Sequence, residues 1–381
     1  MDEITVFTYG DSALKSTWSN VPFYLTDSFI RLGFKVNRVN LKPNKYLLKL
    51  WNQIVLRLIR TVLPNSTYTF DRTPFFRVLA RRKMKRSVSQ YSNSKFFLST
   101  SFSFHPGRYT NRPVVMFCDW TYQYYLQHFL HRKPDFLEAQ EIRNQHELQA
   151  SVDMMISLFP DVRDYIVKKE NCDGAQYLGN VINSDMYDSS DEIIKSKYLS
   201  NSIVFIGLPK YLPGLISLLK AVAMMAPLNH LTVNVIGVTE NQVPKDLIRT
   251  NVTFWGYLDK SNHTQNQQYY EVVNNAKLFV NTNPEWASFS ATLDVMYHST
   301  PVVTSGYRSF VRTFGKSIDF GEYCDNDPEL LAKLLNKIFN LSFEDYVIWC
   351  NNARKAVEPF TWDNYVKRII DELYSRQLIS L

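Results

Sequence analysis

Glycine is scarce, 12 of 381 residues, which excludes collagen-like and low-complexity chains. The four cysteines, Cys118, Cys172, Cys324 and Cys350, are scattered with no C-x-x-C spacing. They make neither a zinc ribbon nor a disulfide framework and suit a reducing compartment. No stretch reaches the ~18 apolar residues that a bilayer span requires. The opening Met-Asp-Glu-Ile-Thr-Val-Phe passes from acids straight into a strand-like run, so no signal peptide is expected. A soluble cytoplasmic protein follows as the expectation, with Asn65-Ser66-Thr67 a chance sequon. No G-x-S-x-G elbow or P-loop occurs, no 20–50-residue repeat is visible, and His128 and His131 have no third metal ligand nearby. What the chain does have is apolar and aromatic mass: 45% hydrophobic and 14% aromatic residues, ample for folded cores. Its length suits two medium domains.

The net charge of +7 conceals a segregated pattern. From Arg31 to Lys95 there are 16 basic residues against a single acid, Asp71, while the rest of the chain has 27 basic and 35 acidic residues. Such a block implies an anionic partner surface. Lys45 to Arg60 reads as an amphipathic helix between Pro43 and Pro64, with Lys45, Lys49, Asn52, Gln53, Arg57 and Arg60 on one stripe. Leu47, Leu50, Trp51, Ile54, Leu58 and Val62 form the other. A second run, Phe75 to Arg86, carries six basic residues between Arg77 and Arg86. Three readings fit: solvated surface helices over a core, a nucleic-acid groove, or a dock on an anionic membrane. In the last, Trp51, Phe75 and Phe76 sit at headgroup level. No zinc-finger, RNP or helix-turn-helix signature accompanies the block, which disfavours nucleic acid.

Strand-like and helix-like segments alternate along the chain. In the first half the strand candidates are Ile4–Thr8, Phe34–Val39, Pro113–Cys118 and Met154–Ser157; in the second they are Ser202–Gly207, Leu231–Gly237, Asn251–Gly256, Lys277–Val280 and Pro301–Thr304. This order predicts an α/β protein of two Rossmann-like, doubly wound domains with parallel sheets, facing one another across a cleft. Boundaries are expected at 1–185 and 186–360, with a terminal helix at 361–381. The polar stretch Asn183 to Asn201 is the expected hinge. Asp325-Asn-Asp327 mimics a metal-binding D-x-D, but its place before Pro328 reads as a helix cap.

The second half carries a set of motifs in order: Val252-Thr-Phe-Trp-Gly256, Tyr269 to Asn281, Pro284-Glu285-Trp-Ala-Ser-Phe-Ser-Ala-Thr-Leu-Asp294, and Pro301-Val-Val-Thr-Ser305. Together with Asn180-Val-Ile-Asn183 at the junction and Phe360-Thr-Trp362 before the last helix, these resemble the retaining GT-B glycosyltransferases of the family 4 type. The resemblance covers residues 180 to 380 well and the first 180 in outline. It implies a nucleotide-sugar donor, retention of anomeric configuration, no metal and no other cofactor. It also implies a C-terminal helix that crosses back to the first domain.

On that resemblance Glu285 is the candidate for the sugar hydroxyls, and Asp294 for a ribose diol. The N–H groups of Ser288, Phe289 and Ser290 open a helix that can face a phosphate, and Gly256 ends the preceding motif strand. Two departures stand out. Glu285 and Asp294 are nine positions apart where the family has two Glu eight apart. Leu208 and Pro213 also occupy the places of the family's phosphate-holding Arg and Lys, leaving Lys210 or Arg308 as the substitute cation. In the first half, Gly10-Asp11-Ser12 follows a strand and suits phosphate or sugar hydroxyls. Asp119, after Cys118, stands where the family has a His-Asp-like pair, or is a helix N-cap before Tyr122.

The expected function is transfer of a sugar from a nucleotide-sugar donor to a glycan or lipid-linked acceptor in cell-surface polysaccharide synthesis. The basic block would hold the enzyme peripherally at the inner face of a membrane. A nucleic-acid-binding protein and a catalytically inert partner subunit are the alternatives.

Overall fold

The computed structural model describes every residue except 186–189, 226–230, 285–288 and 381. The chain divides into two units, the first made of Met1–Asn180 with Trp362–Leu381, the second of Val181–Thr361. The boundary thus falls five residues before the expected one.

The first unit has a six-stranded sheet in the order β2-β1-β3-β4-β5-β6, all neighbours parallel. Its strands are β1 (Glu3–Thr8), β2 (Lys35–Asn40), β3 (Phe97–Ser99), β4 (Val114–Cys118), β5 (Met154–Ser157) and β6 (Ala175–Gln176). Its helices are α1 (Val21–Arg31), α2 (Lys45–Gln53), α3 (Val55–Val62), α4 (Pro74–Gln90), α5 (Tyr122–His128), α6 (Phe136–Gln149) and α7 (Pro160–Lys169). Strands such as Val114-Val-Met-Phe are buried along almost their whole length, as a sheet covered on both faces requires.

The second unit repeats the plan with sheet order β12-β11-β10-β7-β8-β9, again parallel throughout. In chain order its elements are α8 (Asp191–Leu199), β7 (Ser202–Ile206), α9 (Leu212–Met224), β8 (Thr232–Ile236), β9 (Val252–Gly256), α10 (His263–Asn275) and β10 (Leu278–Asn281). Then come α11 (Ser290–Tyr297), β11 (Val302–Thr304), α12 (Arg308–Phe314), β12 (Gly321–Tyr323), α13 (Pro328–Phe339) and α14 (Phe343–Val357). The last helix, α15 (Trp362–Ser375), returns to the first unit. There Trp362 and Tyr365 pack on Phe117, and Asp363 accepts from Ser28 Oγ at 2.6 Å and pairs with Arg31 at 2.6 Å.

Two expectations are corrected. The stretch 183–201 is not a plain hinge, because α8 buries Ile194 and Lys197 within the second unit, and Lys197 Nζ donates to the Val273 carbonyl at 2.9 Å. The basic helix is also broken at Ile54 (φ −109°, ψ −68°) into α2 and α3. Only Leu47, Leu48 and Trp51 pack inward, Trp51 edge-on to Phe70 at 5.4 Å, and Phe76 is fully buried. Tyr46, Leu50, Ile54, Leu58 and Val62, each four residues from the next, are left exposed in the first unit, with Phe75.

Candidate active site

In each sheet the strand order reverses direction once, and such a switch point opens a crevice at the carboxyl ends of the strands. In the second unit it lies between β7 and β10. The two loops meet closely there. A Cβ on Gly214, in the first turn of α9, would stand 2.9 Å from the Asn283 nitrogen, so only glycine lets the helix reach this loop. Ser305 Oγ donates to the Asn283 carbonyl at 2.6 Å, and Thr282 Oγ1 donates to Asn326 Oδ1 at 2.9 Å, which fixes the loop after β10. Among the described residues the N-cap residues of α9 and α11, Tyr211 and Phe289, make no side-chain cap, and a helix start carries partial positive charge.

Lys210 sits in the turn after β7, exposed, with Nζ 4.8 Å from the Tyr211 ring centroid. Arg308 opens α12 and is exposed. Leu208 is also exposed. Phe289 is buried against Tyr307 and Phe310, with ring centroids at 6.0 and 5.5 Å, and Ser290 begins α11. Glu285 and Ser288 lie outside the described residues. Gly256 (φ +63°) gives its carbonyl to the Gly237 N–H at 2.7 Å, and a Cβ on Gly237 would stand 2.4 Å from the Gly207 oxygen. These three glycines let the ends of β7, β8 and β9 cross at contact distance.

Asp294 is buried in α11 and carries a partner that its sequence neighbourhood does not announce. Its Oδ2 accepts from Lys260 Nζ and from the Tyr269 hydroxyl at 2.8 Å, while Oδ1 is buried with no partner among the described residues. Toward a ribose diol, Oδ1 is the oxygen without a partner among the described residues, while Oδ2 already accepts from Lys260 and Tyr269. Lys260 Nζ also lies 4.0 Å from the Tyr269 ring centroid and 5.1 Å from that of Tyr270, a cation–π seat for the charge. Behind it His298 stacks on Tyr270 at 4.8 Å and contacts Asn274 Oδ1 at 2.9 Å and Ser184 Oγ at 3.3 Å. Burial pushes the His298 imidazole down to about 3, so it is neutral at physiological pH.

In the first unit the switch point lies between β1 and β3. Gly10 (φ +127°) follows β1, and a Cβ there would stand 2.7 Å from Thr17 Cγ2. Asp11 Oδ1 accepts from the Ala13 N–H at 2.9 Å, so this carboxylate shapes the turn. Ser12 is buried, its Oγ without a partner among the described residues. Trp18, Ser19 and Asn20 adopt positive φ in succession (38°, 51°, 69°) just before α1. Such strain in non-glycine residues is typical of functional loops, and composition gives no sign of it. Asp119, just past β4, accepts from the Cys118 thiol and the Trp120 N–H, each at 3.1 Å. It is not the cap of α5; Thr121 is, accepting from the Tyr124 N–H at 3.2 Å.

Asp327 caps α13 by accepting from the Glu329 and Leu330 N–H groups at 2.8 and 2.9 Å. Among the described residues no three His, Cys, Asp or Glu side chains gather into a group that could hold a metal ion.

No protein-family model matches the sequence, and no curated protein is similar to it in sequence. Solved structures are another matter. Sucrose-phosphate synthase from Thermosynechococcus elongatus superposes with a TM-score of 0.69 at 13% identity over 99% of both chains. HepE of Anabaena, in complex with UDP-glucose, gives 0.64 at 13% identity over 98% of this chain and 100% of its own. WaaG, a glycosyltransferase involved in lipopolysaccharide biosynthesis, gives 0.59 at 12% identity over the whole of both chains. The chain has the fold of the GT-B glycosyltransferases. In this fold the residues that sequence reasoning did not single out are Lys260, Tyr269 and His298. The paired aromatics Tyr269-Tyr270 were the only visible signal.

Proposed function

We infer that this protein is a glycosyltransferase, moving a sugar from a nucleotide-sugar donor to a hydroxyl of a glycan or lipid-linked acceptor in cell-surface polysaccharide synthesis. The observation that carries the reading is the switch-point crevice between β7 and β10 in a GT-B-type unit, with the starts of α9 and α11 following those two strands. Support comes also from its structural neighbours, one holding UDP-glucose and another acting in lipopolysaccharide biosynthesis.

In the retaining, metal-independent scheme proposed here, the bond from the anomeric carbon to the leaving phosphate oxygen breaks. The acceptor oxygen bonds to that carbon on the same face, and the acceptor proton passes to the leaving phosphate. The protein then needs to orient the reactants and stabilise the departing charge. Phe289 and Ser290 N–H groups with Ser288, aided by Lys210 or Arg308, take the phosphate; Glu285 takes sugar hydroxyls; Asp294 Oδ1 takes a ribose hydroxyl. Asp119 and the Gly10-Asp11-Ser12 turn belong to the acceptor side. Glu285→Ala tests this: sugar transfer is lost while the thermal transition stays in place, and full activity in the variant removes Glu285 from the site.

A second reading, an inert partner subunit, is favoured by Leu208 and Pro213 standing where cations are expected. A thermal-shift screen of UDP, GDP, dTDP, CMP and ADP separates the two, since a ligand of the native state raises the melting temperature. No shift with any of them selects the inert subunit.

Peripheral association with the inner face of a membrane is part of the proposal. The exposed stripe Tyr46, Leu50, Ile54, Leu58 and Val62 runs beside Lys45, Lys49, Arg57 and Arg60 with no acid between. That combination suits an anionic lipid surface. No described helix is long and apolar enough to cross a membrane.

A further inference from the structure

Helix α4 carries Arg77, Arg81, Arg82, Lys83, Lys85 and Arg86 and not one acid. Two of these are spent on the fold. Arg77 Nη1 lies 2.9 Å from Glu141 Oε2 and donates to the Arg72 carbonyl at 3.1 Å, and Lys83 Nζ donates to the Asn40 carbonyl. Arg81 has no ion pair among the described residues, and neither has Arg143 on α6 or Arg108 after β3. These guanidinium groups are not dispersed. Arg77, Arg81 and Arg143, with Gln140, Asn144 and the lone acid Glu147, line a groove of about 400 Å³ between α4 and α6. Arg77, Arg81 and Asn144 also border an adjoining cavity that Arg108 joins.

The groove runs between the first half of α4 and the middle and later turns of α6, and the adjoining cavity is bordered by residues 103–109 that follow β3. Like charges held on a concave wall raise the local potential and concentrate anions. Guanidinium groups match phosphate oxygens in bidentate fashion. No aromatic side chain lines the groove, so it lacks the stacking platform of a nucleic-acid strand.

We propose that the groove between α4 and α6 binds a phosphate or pyrophosphate group carried by the acceptor. Arg81 and Arg143 grip it, beside Arg77, which Glu141 holds in the wall of the groove. The assignment to the acceptor rests on the glycosyltransferase reading; the anion site does not.

Calorimetric titration of the whole protein with inorganic pyrophosphate tests the site. Saturable binding is expected, weakened at least about tenfold in Arg81→Ala/Arg143→Ala with the thermal transition unmoved. The control Lys85→Ala/Arg86→Ala, on the same helix but away from the groove, keeps its affinity. Absence of saturable binding, or equal loss in both double variants, overturns the proposal. Two further arms distinguish the source of the phosphate: glucose 1-phosphate in solution and vesicles of phosphatidylcholine with phosphatidic acid. Dependence on Arg81 and Arg143 in either arm supports the site and names the source; dependence in neither overturns it. If no nucleotide shifts the melting temperature while pyrophosphate still binds through these arginines, the enzymatic reading falls and the anion site stands.

Discussion

Glu138 and Glu141 stand one turn apart on α6, with 0% and 1% exposure, and their surroundings drive the two carboxylates in opposite directions. Burial alone would raise both. At Glu138 it is outweighed by the Arg132 fork, at 2.7 Å to each oxygen, and by the N–H groups of Thr67 and Asp135, which hold the carboxyl down to about 2. At Glu141 burial outweighs Arg77 and lifts the carboxyl to about 7, with Oε1 left unpartnered among the described residues. The first ties the segment after α3 to the start of α6; the second braces the arginine groove.

Glu138→Gln should therefore destabilise the first unit by about 3 kcal/mol, the lower end for breaking a buried pair, because Arg132 keeps some contact with water. Glu141→Gln at pH 7 should cost less than about 1 kcal/mol, since a neutral side chain already suits that site. Urea denaturation of the two variants reads the difference; equal losses would contradict it.

The same pair predicts the pH profile. The lowered Glu138 contributes stability that is present above its unfolded value near 4.5 and lost as pH falls through about 2. The raised Glu141 contributes stability below about 4.5 that is lost as pH rises through about 7. The stability of Glu141→Gln relative to the unsubstituted protein should accordingly climb between pH 4.5 and 7 and level off above. A flat difference across that window would show that Glu141 does not titrate there.

Gly237→Ala should be among the costliest single-methyl changes in the second unit. Its φ of +97° disfavours a side chain, and the added Cβ meets the Gly207 carbonyl at 2.4 Å, a backbone atom that cannot swing aside. A loss of about 3 kcal/mol or more is expected. Gly174→Ala, with nothing within 4 Å of the new Cβ, is the matched control and should be nearly neutral. Chemical denaturation of both variants checks the contrast.

Particular residues show how far the sequence was legible. Alternating apolar runs announce both parallel sheets because buried strands leave a local signature, and Asp327 before Pro328 announces the α13 cap because capping is local. The terminal helix was legible through Phe360-Thr-Trp362, and its docking on Phe117 agrees. Contacts between distant residues left no such trace. Lys260 lies 34 residues before Asp294, and nothing local couples them. The break at Ile54 also left no trace in the periodicity, although Leu47, Leu48 and Trp51 on its N-terminal side pack against the core. Likewise Ile194 and Lys197 are drawn into the second unit from a stretch that reads as polar linker.

The exposed stripe predicts a clean separation of binding from folding. Leu50→Asp/Leu58→Asp changes side chains that are more than half exposed in the first unit, so the thermal transition should shift little. Sedimentation with vesicles rich in phosphatidylglycerol should fall several-fold, because an apolar anchor is replaced by a charge repelled from the surface. Undiminished sedimentation would remove α2 and α3 from the membrane contact.

Asp294 offers the sharpest test of the proposed donor site. Oδ2 already accepts from Lys260 and Tyr269 while Oδ1 has no partner among the described residues, so in the proposed site Oδ1 takes a ribose hydroxyl and one hydroxyl should matter more than the other. A buried acceptor that loses its donor rejects the deficient ligand strongly. If UDP proves to be a ligand, either 2′-deoxy-UDP or 3′-deoxy-UDP should bind about tenfold or more weakly than UDP, and the other should bind as UDP does. In Asp294→Asn the preference should collapse while Lys260, no longer paired, weakens the fold by a few kcal/mol. Asp294→Glu, which keeps the charge, separates the two effects: it should retain most of the stability and, with its carboxylate displaced by one methylene, lose most of the discrimination. Calorimetry on the three proteins decides the matter, and an undiminished preference in Asp294→Asn would place the ribose elsewhere.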